Sequence, residues 1–161
     1  MTIRFGARAL RLGLIAVTLC WMLSLVGATA LAGLAHPGLP AYLFSSTIFF
    51  TGSLLCHQRP ERSFHWWGAQ VPVCARCFGI YLGAALSAVV IAGTGASLRH
   101  PRHAKTLVLT ALTPNALTLV YEWTTGNMPG HWVRAGSGVL LGAVVTLVIA
   151  EAGKWMSTET T

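Results

Sequence analysis

The sequence has 161 residues, of which 54% are hydrophobic and only 9% charged, and its mean hydropathy is +0.63. A soluble domain carries about 25% charged residues, so this composition excludes an ordinary water-soluble protein and indicates an all-α integral membrane protein in a lipid bilayer. The net charge of +7 does not indicate a nucleic-acid partner, because the basic residues cluster beside apolar runs, as they do in cytoplasmic loops.

The first apolar run, residues 10–35, follows an arginine-rich start and ends in small residues, which is also the layout of a secretory signal peptide. The run is longer than the roughly 7 to 15 residues of a signal-peptide core. We therefore expect residues 1–35 to form an uncleaved first helix that anchors the chain.

Further runs can be compared with the roughly 20 apolar residues that a membrane-spanning helix needs. A short run, residues 42–56, is more typical of a re-entrant or interfacial segment. With the first run included, the runs of sufficient length are residues 10–35, 73–96, 106–126 and 132–154. We predict one membrane domain, residues 1–161, forming a bundle of four transmembrane helices plus a short re-entrant or fifth helix. Residues 106–154 form its C-terminal helix pair.

Charge favours the arrangement in which the short run does not cross the membrane. In that arrangement the arginine-rich N-terminus, the basic loop at 99–105 and Lys154 all lie on the cytoplasmic side, in agreement with the excess of Lys and Arg in cytoplasmic loops. The basic residues concerned are Arg4, Arg8, Arg11, Arg99, Arg102, Lys105 and Lys154. The stretch between the short run and the next span is then expected on the outer face.

Residues 42–83 form the cysteine and histidine motif region, which holds three of the four cysteines. Two of these thiols are three residues apart at the start of a predicted helix, where they share a face and where the helix N-terminus stabilises a thiolate. A third thiol and a histidine complete three sulfurs and one nitrogen, the composition of a structural zinc site. We predict a site for zinc, or alternatively iron. The predicted ligands are Cys56, His57, Cys74 and Cys77, with His65 as an alternative to His57.

Other interpretations of these cysteines stay open. The chain can be a membrane thiol-disulfide oxidoreductase that cycles Cys74 and Cys77 with Cys56 as a relay, or it can hold a plain disulfide. Covalent c-type haem is excluded, because Phe78 and not histidine follows Cys77. The glycines at 79/83 and 138/142 have GxxxG spacing, which lets helices approach closely in lipid, and helix packing explains them fully. A third class is a small accessory subunit, whose GxxxG faces would serve a larger membrane complex.

Charged and amide side chains lie beside the cysteines in the chain and also in the 122–134 segment, which the expected topology puts on the same outer face. They predict a polar pocket there, although a solvated loop and a simple Glu122–Arg134 ion pair would also explain them. The predicted pocket residues are Arg59, Glu61, Arg62, Gln70, Arg76, Glu122, Asn127 and Arg134. Such a pocket would bind a lipid headgroup, a quinone or a membrane protein partner. Pro114 frees a backbone carbonyl in the third long run, and we expect Asn115 to satisfy it.

The stretch CHQRPERSF followed by GAQVPVCARCFGIYLG resembles the signature of an uncharacterised family of prokaryotic multi-pass membrane proteins, domain of unknown function 2085. A weaker second block follows at Pro114, Asn127, Arg134, Gly138 and Gly142, with Asn115 where an acidic residue is expected. The resemblance covers roughly residues 40–145. It implies a multi-pass fold in the prokaryotic cytoplasmic membrane and no particular activity.

Overall fold

The computed structural model describes the backbone of residues 2–95 and 101–158, with side chains at residues 9, 12–95 and 103–152. Within these residues the chain forms five α-helices, a short 3-10 turn and one two-stranded hairpin. The helices are α1 (Thr2–Ala32), α2 (Leu39–Leu55), α3 (Ala75–Thr94), α4 (Pro101–Thr125) and α5 (His131–Thr158), and the strands are β1 (Ser63–Trp66) and β2 (Ala69–Cys74). The all-α class is confirmed.

Three of the helices in the described part of the chain are long and apolar enough to cross a membrane. These segments are Leu12–Ala32, Ala75–Thr94 and His131–Ala152, which match three of the four predicted spans. Helix α4 has 25 residues but carries Pro114, Asn115 and Glu122 in its interior, which lower its hydropathy. The predicted count of four spans is therefore not confirmed. Helix α2, with 17 residues, corresponds to the short fifth run.

Helices α3 and α5 run parallel and touch along their backbones. A Cβ atom added to Gly79 or Gly83 of α3 would collide with the carbonyl oxygen of Ala135 or Val139 in α5, and one added to Gly142 would collide with that of Ile80. Glycine at this spacing lets two helices approach closely in lipid, where packing and not hydrophobic burial drives association. The prediction that the glycine pairs pack helices is confirmed.

Helices α1 and α4 run antiparallel to this pair, since Leu14, earlier in α1 than Trp21, lies beside Ala88, later in α3 than Tyr81. Likewise Glu122, later in α4 than Asn115, lies beside Arg134, earlier in α5 than Ser137. Trp21 of α1 contacts Tyr81 of α3 edge-on, with ring centroids 5.8 Å apart. In α4, the Asn115 amide donates to the Ser137 carbonyl of α5 at 2.7 Å and accepts from the Ser137 hydroxyl at 3.1 Å. The expectation that Asn115 serves the carbonyl freed by Pro114 is thus replaced by a bond between helices. Ser137 gives the buried amide a hydrogen-bond partner for both its NH2 group and its oxygen, whereas the carbonyl freed by Pro114 could only accept from the NH2 group.

The helix directions give the bundle two different ends. The beginnings of α1 and α4 and the ends of α3 and α5 lie at one end, as the antiparallel and parallel contacts require. The described helix termini at that end include basic residues of the sequence, so we call it the basic end. Lys105 is exposed there, whereas Arg4, Arg8, Arg11, Arg99, Arg102 and Lys154 lie outside the described side chains.

The opposite end is built from α2 and the hairpin, which pack on α1 and α3. Phe44, near the start of α2, faces Gly27 of α1, and Gly52, near its end, lies against Pro72 of β2. Both ends of α2 therefore lie in the half of the bundle that holds the hairpin, so α2 does not carry the chain to the basic end. This geometry agrees with the predicted short, non-crossing segment.

The hairpin replaces the polar loop that the sequence suggested. Its strands pair antiparallel, with His65 opposite Gln70 and Trp66 opposite Ala69. The turn is made by Trp67 and Gly68, whose φ angles are 52° and 78°. Two left-handed residues fit the twist of a hairpin, but asparagine or aspartate usually fills the first position, so the turn was not recognised. The buried hairpin residues Phe64, Val71 and Val73 pack with Leu25 and Phe78 in one core.

Candidate functional site

Three thiols meet where α2 ends, β2 ends and α3 begins. Cys56 is the C-cap of α2, Cys74 is the last residue of β2 and the N-cap of α3, and Cys77 lies in the first turn of α3. Their sulfur atoms all lie within 4.8 Å of one another. Three thiolates on one tetrahedral zinc ion, with Zn–S bonds of about 2.3 Å, would be about 3.8 Å apart. The three side chains are thus close enough to share one ion.

Two glutamines hold the end of α2 against β2. Gln58 adopts a left-handed backbone with φ of 46°, and its side-chain amide donates to the Phe49 carbonyl at 2.7 Å and to the Pro72 carbonyl at 2.6 Å. Gln70 donates to the Gln58 carbonyl at 2.6 Å. The distance between Cys56 and the CxxC pair is therefore set by hydrogen bonds across the loop. Sequence reasoning gave Gln58 no role in the site, because its partners are distant in the chain.

Hydrogen bonds converge on the Cys56 sulfur. The backbone N–H of Cys74 donates to it at 3.3 Å. Hydrogen bonds from the side chains of Cys74 and Cys77 lower the pKa of Cys56 far below its ordinary value of 9.0, against the opposing effect of burial. A thiolate is the form of cysteine that binds metals and attacks electrophiles. The fold therefore favours a reactive or ligating sulfur at Cys56.

A cavity of 410 Å³ opens beside the thiols. Residues lining it come from the end of α2, the following loop, the start of α3 and the start of α5. They are Leu55, Cys56, His57, Gln58, Arg59, Arg62, Cys74, Arg76, Cys77 and Arg134. The structure thus brings the three predicted sulfur ligands together and places four predicted pocket arginines around the cavity beside them. His57 borders the cavity but is exposed, and it is not part of the group of ligand atoms within 4.8 Å of one another. Among the described side chains, no carboxylate lines this cavity.

The arginines of the cavity have few partners. Arg134 is only 2% exposed, and its Nη2 lies 4.0 Å from Glu122 Oε2. Arg62 forms an ion pair with the same carboxylate. Arg76 Nη2 donates to the Thr118 hydroxyl at 3.0 Å. The Nε atoms of all three arginines are buried and have no hydrogen-bond partner among the described residues. The cavity is therefore cationic, with donors left over.

Several predicted site residues lie elsewhere in the structure. His65 is exposed on β1 and borders a separate surface concavity with Trp66 and Trp67. Glu61 is exposed and lies 4.0 Å from Arg59, and Gln70 supports the loop instead of lining the cavity. Asn127 is exposed, and its backbone N–H donates to the Thr125 hydroxyl at 3.1 Å.

Glu122 does not line the cavity itself but pairs with two arginines that do. Its carboxylate is buried and stands behind the arginines, joined to both Arg62 and Arg134. The ion pair between the last two helices that the sequence suggested is thus present, and Arg62 of the motif loop joins it. Through this carboxylate, α4 and α5 are tied to the same site as the cysteines.

Comparison with known proteins gives a family match and short similarities to uncharacterised proteins. A family model described as "Predicted membrane protein", domain of unknown function 2085, matches residues 56–148. An uncharacterized protein of Methanocaldococcus jannaschii is 46% identical over 46 residues, which are 29% of this chain and 30% of that protein. One of Methanothermobacter thermautotrophicus is 60% identical over 30 residues, 19% of this chain and 27% of that protein. The chain thus covers less than a third of either relative. No solved structure matches it.

Proposed function

Because this chain belongs to the family of predicted membrane proteins described as domain of unknown function 2085, whose match includes all three clustered thiols, we propose that it is a multi-pass membrane protein that holds a metal ion on Cys56, Cys74 and Cys77. The observation that carries this proposal is the mutual approach of three sulfur atoms within 4.8 Å. Sulfur-rich tetrahedral sites select zinc or iron, and zinc is the metal we propose.

The fourth ligand in this proposal is His57. Both predicted histidines are exposed. His57 borders the same cavity as the thiols, whereas the alternative ligand, His65, lies on the hairpin and borders a different concavity. Three sulfurs and one nitrogen close the coordination shell, which is the pattern of a structural site. The ion would join the end of α2 to the start of α3. In doing so it would hold the loop that carries Arg59 and Arg62 beside the cavity.

A second candidate is a membrane thiol-disulfide oxidoreductase. The observation that favours it is that the same three cysteines are free thiols in mutual proximity. In this reaction the Cys74 and Cys77 thiols would close to a disulfide and lose two electrons and two protons. A disulfide in a partner protein would accept these electrons and protons and open to two thiols. Cys56 would relay the exchange through a mixed disulfide.

The two candidates are separated by measuring metal and thiols in one sample. We would purify the full chain in detergent as wild type, Cys74→Ser and Cys20→Ser, then determine metal by elemental mass spectrometry. Cys20 is the matched control, because it is a free cysteine on the exposed side of α1, far along the chain from the cluster. We expect about one zinc ion per chain in wild type and Cys20→Ser, and its loss in Cys74→Ser.

The opposite result would be metal-free wild type with Cys74 and Cys77 joined in a reducible disulfide. That result would refute the metal site and leave the oxidoreductase as the function to pursue. Metal retained at the wild-type level in Cys74→Ser would equally refute the proposed ligand set.

We also propose that the end of the bundle with the thiols faces the outside of the cytoplasmic membrane. Support comes from the helix directions, which collect the beginnings of α1 and α4 and the ends of α3 and α5 at the opposite end. The basic segments of the sequence lie in or beside those helix termini, and cytoplasmic segments carry the excess of Lys and Arg.

A further inference from the structure

The cavity beside the thiols carries more positive than negative charge. Arg59 is exposed and has the exposed Glu61 as its counter-charge. Arg62, Arg76 and Arg134 contribute three further positive charges, and Glu122 is the carboxylate that the structure places against two of them. Three thiolates on a divalent zinc ion would add one negative charge. One positive charge then stays uncompensated. Without the metal, two do so while all three thiols are protonated, and one does so when Cys56 is a thiolate.

The arginines of this cavity have only the Glu122 carboxylate as a buried counter-charge and keep hydrogen-bond donors without partners. Arg134 is only 2% exposed, and its Nε has no hydrogen-bond partner among the described residues. The buried Nε atoms of Arg62 and Arg76 are in the same condition. Burying a charge or a hydrogen-bond donor without a full set of partners is unfavourable, so an anion in the cavity would relieve both the excess positive charge and the free donors. Arginine's planar array of N–H groups matches phosphate oxygens in particular.

The cavity also borders an apolar surface. Leu55, the last residue of α2, lines the cavity and is 58% exposed. The neighbouring Leu54 and Phe50 on the same helix are exposed as well. A ligand with a phosphate group and an acyl chain would satisfy both surfaces, with the phosphate among the arginines and the chain along α2.

From this arrangement we infer that the cavity binds the phosphate headgroup of an anionic phospholipid, held by Arg62, Arg76 and Arg134. The inference rests on the proposed function in one respect, since the metal would hold the loop that carries Arg62. The positive charge and the hydrogen-bond donors of the cavity come from the arginines and not from the metal. Lipid binding can therefore be measured separately from metal content.

The test is calorimetric titration of the detergent-purified full chain with three probes. They are short-chain phosphatidic acid, short-chain phosphatidylcholine and inorganic phosphate. We expect phosphatidic acid to bind best and Arg76→Gln to weaken it roughly tenfold or more, the effect of losing one charge-assisted hydrogen bond. Lys105→Gln is the matched control, because it removes one positive charge at the other end of the bundle, and its affinity should stay at the wild-type value.

Arg134→Gln should weaken binding as strongly as Arg76→Gln. If the loss of its Glu122 pair prevents folding, Arg76→Gln decides the question, because Arg76 has a neutral partner in Thr118. Equal affinity in wild type and Arg76→Gln would overturn the inference. So would equal affinity for phosphatidic acid and phosphatidylcholine, or inorganic phosphate binding as tightly as the lipid.

Metal content measured in the same samples separates the two proposals. Metal-free protein that binds phosphatidic acid through Arg76 would refute the metal site and support the lipid site. Zinc-loaded protein that does not bind phosphatidic acid would refute the lipid site alone.

Discussion

Replacing Gly142 with alanine should destabilise the bundle by separating α3 from α5. A Cβ atom at Gly142 would lie 2.8 Å from the backbone carbon and 3.0 Å from the Cα of Ile80, whereas carbon atoms pack at about 3.5 to 4.0 Å. These are backbone atoms, so no side-chain rotation relieves the clash, and the helices must move apart by about 1 Å. A gap of that size forfeits about a quarter to a half of each contact energy along the interface. We expect a loss of about 1 to 3 kcal/mol in the free energy of unfolding.

The matched control is Gly136→Ala, one turn and a half earlier on the same helix. A Cβ atom at Gly136 meets nothing within 4 Å, so this change adds the same methyl group without a clash. Unfolding would be followed by circular dichroism during titration with sodium dodecyl sulfate in mixed micelles. Equal stability of the two variants would refute the packing argument. A loss of stability in Gly142→Ala and in Gly83→Ala, without a loss in Gly136→Ala, would confirm it.

Two further predictions concern charge and orientation. Glu122→Gln leaves Arg62 and Arg134 without a counter-charge inside the protein, so we expect the free energy of unfolding in the same assay to fall by about 3 kcal/mol. The control, Glu61→Gln, changes an exposed pair and should alter this free energy by less than about 0.5 kcal/mol. Equal losses in the two variants would contradict the role of Glu122 as the buried counter-charge. For orientation, a membrane-impermeant maleimide should label Thr125→Cys on intact cells and Lys105→Cys only after permeabilisation, each compared with the unmodified chain. The reverse pattern would place the thiol end on the cytoplasmic side.

Local patterns in the chain were enough to predict part of the site. The three-residue spacing of Cys74 and Cys77 places both thiols on one helical face, and the structure puts them at the start of α3 as expected. Glycine spacing likewise predicted that helices approach closely at Gly79/Gly83 and Gly138/Gly142. The structure shows that the helices in contact there are α3 and α5.

Other features depend on contacts between distant residues. The sequence predicts Gln70 in the pocket because it lies in the motif stretch, and Asn127 because the expected topology puts its loop on the same outer face. In the structure, Gln70 bonds to the Gln58 backbone and Asn127 is exposed. The side-chain amide of Gln58 donates hydrogen bonds to the carbonyls of Phe49 and Pro72. Such hydrogen bonds leave no periodic signal in a sequence.

The amino-acid sequence by itself determined that this protein lies in a membrane, that it is helical, and where its reactive side chains are concentrated. Its low charge content requires a membrane, its apolar runs predict helices, and its thiols and arginines are concentrated in one stretch. These properties are local, since each follows from residue type and spacing. The sequence offered a site on Cys56 and the CxxC pair, a pocket that includes Arg134, and a short non-crossing run only as hypotheses beside others. The tertiary structure decided that these residues meet, with Arg134 joining from 58 residues beyond Arg76, and that α2 lies in the half of the bundle with the hairpin. Those outcomes depend on which helix faces pack together, a choice made by backbone fit at glycines and by pairing of buried polar groups across the whole chain.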